Sequence, residues 1–325
     1  DANGMPYLLY PAPGPIEETL NRMVHWPLVS PLADLLACLS STLIYVGTLP
    51  ITIPLLTGQA AYRTARQMLR PLLKDNVDPS TQAIIITGCD SGFGLSTALQ
   101  LAAIGHTVFA LCYSDETSHD LLAASKTHDK LVRIICDVTK DSHVDAAAAS
   151  VKEWEASSPS NRVLALVNNA GKATPGIVDL CPLSEFEMDI SVNYLGVVRT
   201  TKAFLDLLKR SGCHAGTVPR ILNIASMSGL VALPGASAYA ASKHAVVGFS
   251  KSIRVELAYS SVSVSAICPT FHRTPLLTGL QSKIDRIWEL AGADKRAEYG
   301  EEAHAELKKG ALDLYTGCGW GPRRG

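Results

Sequence analysis

Tyr239 and Lys243 stand four residues apart in a stretch of helical pattern, so both project from one helix face. An ammonium beside a phenol favours the phenolate and lowers its pKa from about 10. Such a tyrosine works as an acid or a base near neutral pH. Lys243 is also placed to bond a cofactor ribose. Ser226 lies thirteen residues before Tyr239, just past a strand-like run, and offers its hydroxyl to a reacting oxygen. Ser228 is the neighbouring alternative. Asn193, inside a long helical stretch, can hold a water for proton relay, although an asparagine there also serves as a packing or bend residue. The chemistry these four types share is proton movement at a hydroxyl or carbonyl. A Tyr-x-x-x-Lys pair alone carries little weight, and its place after a fifth strand is what gives it some.

A second run points to a different task. Thr87-Gly88-Cys89-Asp90-Ser91-Gly92-Phe93-Gly94 follows a strand-like segment and opens a helix. Glycines let such a turn close tightly and approach a pyrophosphate, and the helix N-terminus supplies amide donors and a positive dipole end. Asp137 follows the third strand, where it can accept from an adenine amine or cap a turn. Asn168-Asn169-Ala170-Gly171 closes the fourth strand with small residues that permit close approach. The second strand ends at Cys112, where an NAD site usually carries an acid, and Asp115 lies slightly beyond. No Lys or Arg occurs in 88–104 or 107–120, and Asp90 repels an extra phosphate. The charge argument favours NAD, with NADP as the alternative.

The elements that must position these residues alternate regularly. Apolar β-branched runs fall at 83–87, 107–112, 131–136, 163–168, 220–225 and 262–268, with helical stretches at 92–104, 141–157, 184–211 and 237–260. Alternation of this kind predicts an α/β fold with a doubly wound, Rossmann-like parallel sheet and helices on both faces. Strands covered on both faces are apolar throughout, as these are.

The 325 residues are 47% hydrophobic and 18% charged, with a formal net charge of -1. That composition excludes a disordered chain, and without a basic stripe it excludes nucleic acid as a partner. None of the eight cysteines forms a CxxC pair, so neither a zinc site nor a disulfide framework is expected. Residues 1–34 read as a polar, proline-marked tail. The 24 residues Leu35 to Gly58 carry no charge. As a helix they would reach about 36 Å, against a hydrocarbon core of about 30 Å. Pro50 and Pro54 also allow a hairpin dipping into one leaflet. Arg63, Arg66, Arg70 and Lys74 mark 59–81 as a basic linker and place the large domain on the cytosolic side. The expected organisation is therefore a tail, a membrane anchor at 35–58, the linker, a catalytic domain at 82–310 and an atypical tail at 311–325. The first residue is Asp1, which suggests a fragment or a processed form.

TGCDSGFG, NNAG, Asn193, Ser226, YAASK and the later proline segment together resemble the short-chain dehydrogenase/reductase family over residues 82 to about 309. The resemblance implies NAD(P) as cofactor and a catalytic group that maps onto Asn193, Ser226, Tyr239 and Lys243. It implies cofactor contacts from Thr87, Gly88, Asp90, Ser91, Gly92, Phe93, Gly94, Asp137, Asn169, Ala170, Gly171, Tyr239, Lys243, Pro269 and Thr274. Asp90, Phe93 and the stretch Trp288 to Gly300 look more narrowly like the retinol, hydroxysteroid and D-beta-hydroxybutyrate dehydrogenase branch, many of whose members are membrane-attached. Trp288 and Tyr299 can equally be core residues of a helix pair. Two departures stand out. Pro269-Thr270 replaces the family's Pro-Gly, and ALDLYTGCGWGPRRG does not resemble the family's continuation into a seventh strand. A sheet edge and part of the pocket or dimer surface are therefore expected to be missing.

The resulting expectation is a membrane-associated oxidoreductase of a lipophilic alcohol or ketone, a retinoid, steroid or similar molecule. Its expected setting is the endoplasmic reticulum membrane, with a mitochondrial membrane as the alternative, and its partners include a second copy in a homo-oligomer. Leu230, Val231, Leu233, Phe271, Leu276, Leu277 and Trp288 are the pocket candidates. Two readings compete. One is a small hydroxy-acid dehydrogenase, with Lys172 or Arg273 holding the carboxylate. The other is a truncated, non-catalytic cofactor-binding protein. If 35–58 anchors the chain, deleting residues 1–74 releases the remainder into the soluble fraction, while carbonate-washed membranes retain the full chain. Recovery of the full chain in detergent-free supernatant would refute the anchor.

Overall fold

The computed structural model describes residues 78–212, 218–270, 272 and 274–317. The anchor expected at 35–58, the linker as far as residue 77 and Phe271 lie outside them. Among the described residues six strands form one parallel sheet: β1 (Gln82–Thr87), β2 (Thr107–Cys112), β3 (Leu131–Ile135), β4 (Arg162–Asn168), β5 (Arg220–Ile224) and β6 (Ser263–Ile267). Their order is β3-β2-β1-β4-β5-β6, the doubly wound order, with its reversal between β1 and β4.

Between the strands run α1 (Gly92–Ala103), α2 (His119–Ser125), α3 (Asp141–Ala156), α4 (Leu183–Ile190), α5 (Gly196–Gly212) and α6 (Ser237–Glu256). Successive strand residues point to opposite faces. Ala83 and Ile85 join the core under α3 and α5, with Val144, Val151, Phe204 and Leu208. Ile84 and Ile86 join the core under α1 and α2, with Ala98, Ala102 and Leu121. Helix α5 fits because Val197, Thr200, Thr201, Phe204, Leu207, Leu208 and Ser211 recur at helical spacing and are all buried.

Where one long helix was expected over 184–211, a single π-type turn at Ser191–Leu195 separates α4 from α5. The turn contains Asn193. Such turns mark functional sites more often than regular helix does. Helix α2 has no counterpart in the expected pattern, since it is only seven residues long.

Beyond β6 come α7 (Pro275–Thr278), α8 (Leu280–Leu290) and α9 (Gly292–Gly317), the last kinked at Gly300, whose φ is 76°. Helix α9 crosses the boundary expected after residue 310. Trp288 is a core residue here: it packs with Leu180, Cys181 and Ile287 and stacks on His304 at 4.7 Å. Among the described residues no helix is long and apolar enough to cross a membrane. Strand β6 pairs only with β5 among them, and Arg254 Nε donates to Val264 O at 3.0 Å.

Candidate active site

The carboxyl end of the sheet brings both sets of residues together. The turn after β1 is built from glycines that no other residue replaces cheaply. Gly88 has φ 70° and Gly92 φ 58°. A Cβ on Gly94 would sit 2.2 Å from Gly88 O and 2.6 Å from Asn169 Nδ2. The turn is locked to β4: Thr87 Oγ1 accepts from Asn169 N at 3.0 Å and Ala170 N at 2.9 Å, and Asn169 Nδ2 donates to Thr87 O and Gly88 O. Ser91 makes no side-chain cap to α1, which leaves the first amides of that helix to a ligand. Thr274 lies against this turn, 3.5 Å from the position of a Cβ on Gly92. Phe93 stands partly exposed, edge-on to His272 at 5.1 Å. A nicotinamide dinucleotide fits this cradle of open amides and close backbone.

Charge around the adenosine end differs from the sequence picture. Cys112 is fully buried, with Sγ directed at Ile134 O, so its side chain does not stand in for a ribose-binding acid. Asp90 reaches across instead, accepting from Tyr113 N at 2.9 Å and from the Thr117 hydroxyl. Arg133, from β3, pairs with Asp115 and donates to Ser118 Oγ. A scan of 88–120 could not see this cation, because it arrives from the neighbouring strand. Asp137 Oδ1 accepts from Thr139 N and Thr139 Oγ1 and so caps the turn after β3. The Thr139 donors also hold its pKa below the usual carboxylate value, against the opposing effect of burial.

Ser226 ends β5 and turns the chain, its Oγ accepting from Ser228 N at 3.1 Å. Pro269 O accepts from Met227 N at 2.9 Å and holds this turn from the β6 side. A Cβ on Gly229 would lie 2.7 Å from Lys243 O, so the turn is pressed onto α6. Burial raises the Tyr239 pKa, and the neighbouring Ser226 hydroxyl opposes that. Lys243 is buried, donates to Ile224 O at 2.8 Å and lies 5.7 Å from the Tyr239 ring centroid. Burial pushes its ammonium down to about 8. The expected lowering of the Tyr239 pKa by Lys243 is thus absent from this arrangement, where desolvation of the phenol dominates.

Asn193 is placed beside them but is not a free water ligand. Its Oδ1 accepts from Lys172 N, and its Nδ2 donates to Lys172 O and Ser242 Oγ, all within 2.9 Å. A Cβ on Gly171 would come within 3.2 Å of Asn193 Oδ1 and 3.4 Å of Lys243 Nζ, so the NNAG turn packs against both. Sequence reading missed Ser242 and Asp189, although Ser242 sits inside YAASK and Asp189 precedes Asn193 by one helical turn. The geometry joins a proton donor–acceptor, a hydroxyl that can hold an oxygen, and a buried cation, all next to a dinucleotide cradle.

The family model described as short chain dehydrogenase matches residues 82–285. Retinol dehydrogenase 16 of Homo sapiens is 36% identical over 239 residues, covering 72% of this chain and 71% of that protein. Mitochondrial D-beta-hydroxybutyrate dehydrogenase of Bos taurus is 34% identical over 252 residues, covering 75% and 71%. Among solved structures, 3-ketoacyl-(acyl-carrier-protein) reductase from Brucella melitensis, complexed with NADH, superposes with a TM-score of 0.56 at 28% identity, covering 70% of this chain and 93% of that one.

Gly94→Ala drives a methyl group into backbone, and overpacking of that kind costs about 1–3 kcal/mol. Thermal unfolding with and without NAD should show a lower Tm and a reduced stabilisation by the cofactor. An unchanged cofactor-induced rise would mean that the turn does not form the cradle.

Proposed function

The chain belongs to the short chain dehydrogenase family, in the branch of the retinol and D-beta-hydroxybutyrate dehydrogenases, and from that membership we propose a lipophilic alcohol and its carbonyl compound as the substrate pair. As a member it is an NAD(P)-dependent alcohol dehydrogenase or reductase. The observation that carries the substrate class is at the Ser226 turn. Leu230 and Val231 emerge directly after it, 58% and 54% exposed, beside the residues that would do the chemistry. Apolar side chains in that position suit a retinoid, steroid or similar molecule. Leu233, Leu276 and Leu277 are half-buried and extend the apolar set.

The hydroxy-acid alternative is weaker at Lys172, because that ammonium is bound to Glu185 at 3.0 Å and Asp189 at 3.3 Å. Arg273, its other cation, lies outside the described residues. Membrane attachment through 35–58, at the endoplasmic reticulum with the domain cytosolic or at a mitochondrial membrane, is part of the same proposal and rests on the apolar run and its basic flank.

The cofactor, when bound, exchanges a hydride with the carbinol carbon. During oxidation Tyr239 takes the hydroxyl proton, and during reduction it returns one. Ser226, at the end of β5, offers its hydroxyl to the substrate oxygen within reach of that proton. Lys243 sets a buried cation beside Tyr239, where it would stabilise the negative charge the phenol carries when it gives up its proton. Asn193 braces the Gly171–Lys172 segment against α6.

Two outcomes follow. Tyr239→Phe keeps the ring and removes the proton carrier, so turnover on the best substrate of a retinoid, steroid and hydroxy-acid panel should fall by about 10²–10⁴-fold. NAD affinity, measured by calorimetry, should change little. A rate within a few-fold of the parent would make Tyr239 a packing residue. Asp90 at the ribose end and the Asp115 partner on Arg133 favour NAD over NADP. Titration should show tighter NAD binding, narrowed by Tyr113→Arg, and tighter NADP binding by the parent would overturn the charge argument.

A further inference from the structure

Behind the Tyr239–Lys243 pair lies a buried ionic cluster that the chemistry above does not use. Asp189, near the end of α4, is fully buried. Thr174 Oγ1 donates to its Oδ1 at 2.8 Å and Thr174 N to its Oδ2 at 3.3 Å, and Lys172 Nζ lies 3.3 Å from Oδ1. Glu185, one turn earlier on the same helix, bonds Lys172 and Arg286, the latter at 2.8 Å from α8. Lys283, also on α8, turns its ammonium to Leu276 O. From α6, Tyr239 and Lys243 both feel the Asp189 charge, which raises their pKa values against or along with burial.

We propose that Asp189 is a positioning residue of the proton-transfer site, pinning the Lys172–Thr174 segment onto Asn193 and holding a fixed negative charge behind Tyr239 and Lys243. Two observations carry it. The segment Asp189 grips through Thr174 N, Thr174 Oγ1 and Lys172 Nζ is the one Asn193 grips through Lys172 N and Lys172 O. And a fully buried carboxylate is costly to keep, since well-packed apolar residues often replace a buried ion pair without loss of stability. Its own burial raises the Asp189 pKa, while Thr174 and Lys172 oppose that and favour the carboxylate.

The inference rests on the roles proposed for Tyr239 and Lys243, and the test separates the two. Removing a nearby negative charge disfavours every protonated cation and favours every phenolate. In Asp189→Asn both apparent pKa values of the coupled Tyr239–Lys243 pair should therefore move down. The pH profile of kcat/KM for alcohol oxidation with NAD should shift to lower pH, so that the ratio of variant to parent rate rises as pH falls. Glu185→Gln, which touches Lys172 but is not among the charges acting on Tyr239 or Lys243, should leave the profile in place. The double variant Lys172→Met with Asp189→Asn leaves no unpaired half of that pair, and because it removes a cation with the carboxylate it should shift the profile in the same direction but less than Asp189→Asn alone. Superposed parent and Asp189→Asn profiles, or loss of folding in both the single and the double variant, would overturn the proposal and make Asp189 a structural residue. A parent chain that turns over nothing on the panel, or a fully active Tyr239→Phe, would instead refute the reading of the site itself.

Discussion

Thr87 ties the carboxyl end of β1 to that of β4, and the site depends on that tie. Its hydroxyl accepts from two successive amides, Asn169 N and Ala170 N, while Asn169 returns two bonds to the β1 turn. Each such bond contributes about 1 kcal/mol net, and leaving one of these groups unpaired would cost about 1–3 kcal/mol. The larger effect is geometric. Sheet order reverses between these strands, so helices leave in opposite directions and a crevice opens above the seam. The glycine turn forms one lip of the crevice and NNAG the other.

A second buried polar chain carries that placement to the catalytic helix. Thr200 Oγ1 donates to Asn168 Oδ1, Asn168 Nδ2 to Asn223 Oδ1, and Asn223 Nδ2 to Ser250 Oγ, each at 2.7 to 2.8 Å. The chain runs from α5 through β4 and β5 into α6. A fully satisfied network of this kind fixes relative position more sharply than apolar packing, which tolerates sliding. Helix α6 brings Tyr239 and Lys243, β5 ends at Ser226, and the turn before α5 holds Asn193. The four residues thus share one hydrogen-bonded frame.

Much of this was legible in the sequence, for a physical reason. Doubly covered strands must be apolar, so all six runs stand out, and every strand lies within a residue of its expected bounds. The glycine turn, NNAG and the Tyr-Lys spacing are local and could be read as strings. What escaped reading depends on contacts across the sheet. Arg133 reaches Asp115 from an adjacent strand, and no window along the chain contains both. The π-type turn at Asn193 has no composition signature, and its consequence, a side chain saturated by Lys172 and Ser242, is visible only in space. Trp288 looked like pocket lining because apolar residues near a site and apolar residues in a satellite core have the same sequence signal. Cys112, standing where such sites usually carry a ribose acid, points into the core.

The same distinction between local and spatial charge bears on the substrate. Lys172 follows NNAG directly and looks along the chain like an anchor for a carboxylate. Its partners Glu185 and Asp189 lie on one face of α4, four residues apart, and turn the ammonium into the hub of an ion cluster. A substrate carboxylate brought beside it would compete with two resident carboxylates, and desolvating an ion without a partner costs several kcal/mol. After the Ser226 turn the chain exposes Leu230 and Val231, where each Å² of apolar contact gains about 25 cal/mol and no charge is stranded. Under the substrate reading proposed above, the closed ion cluster at Lys172 and the exposed apolar pair after Ser226 both point to a ligand that brings carbon rather than charge.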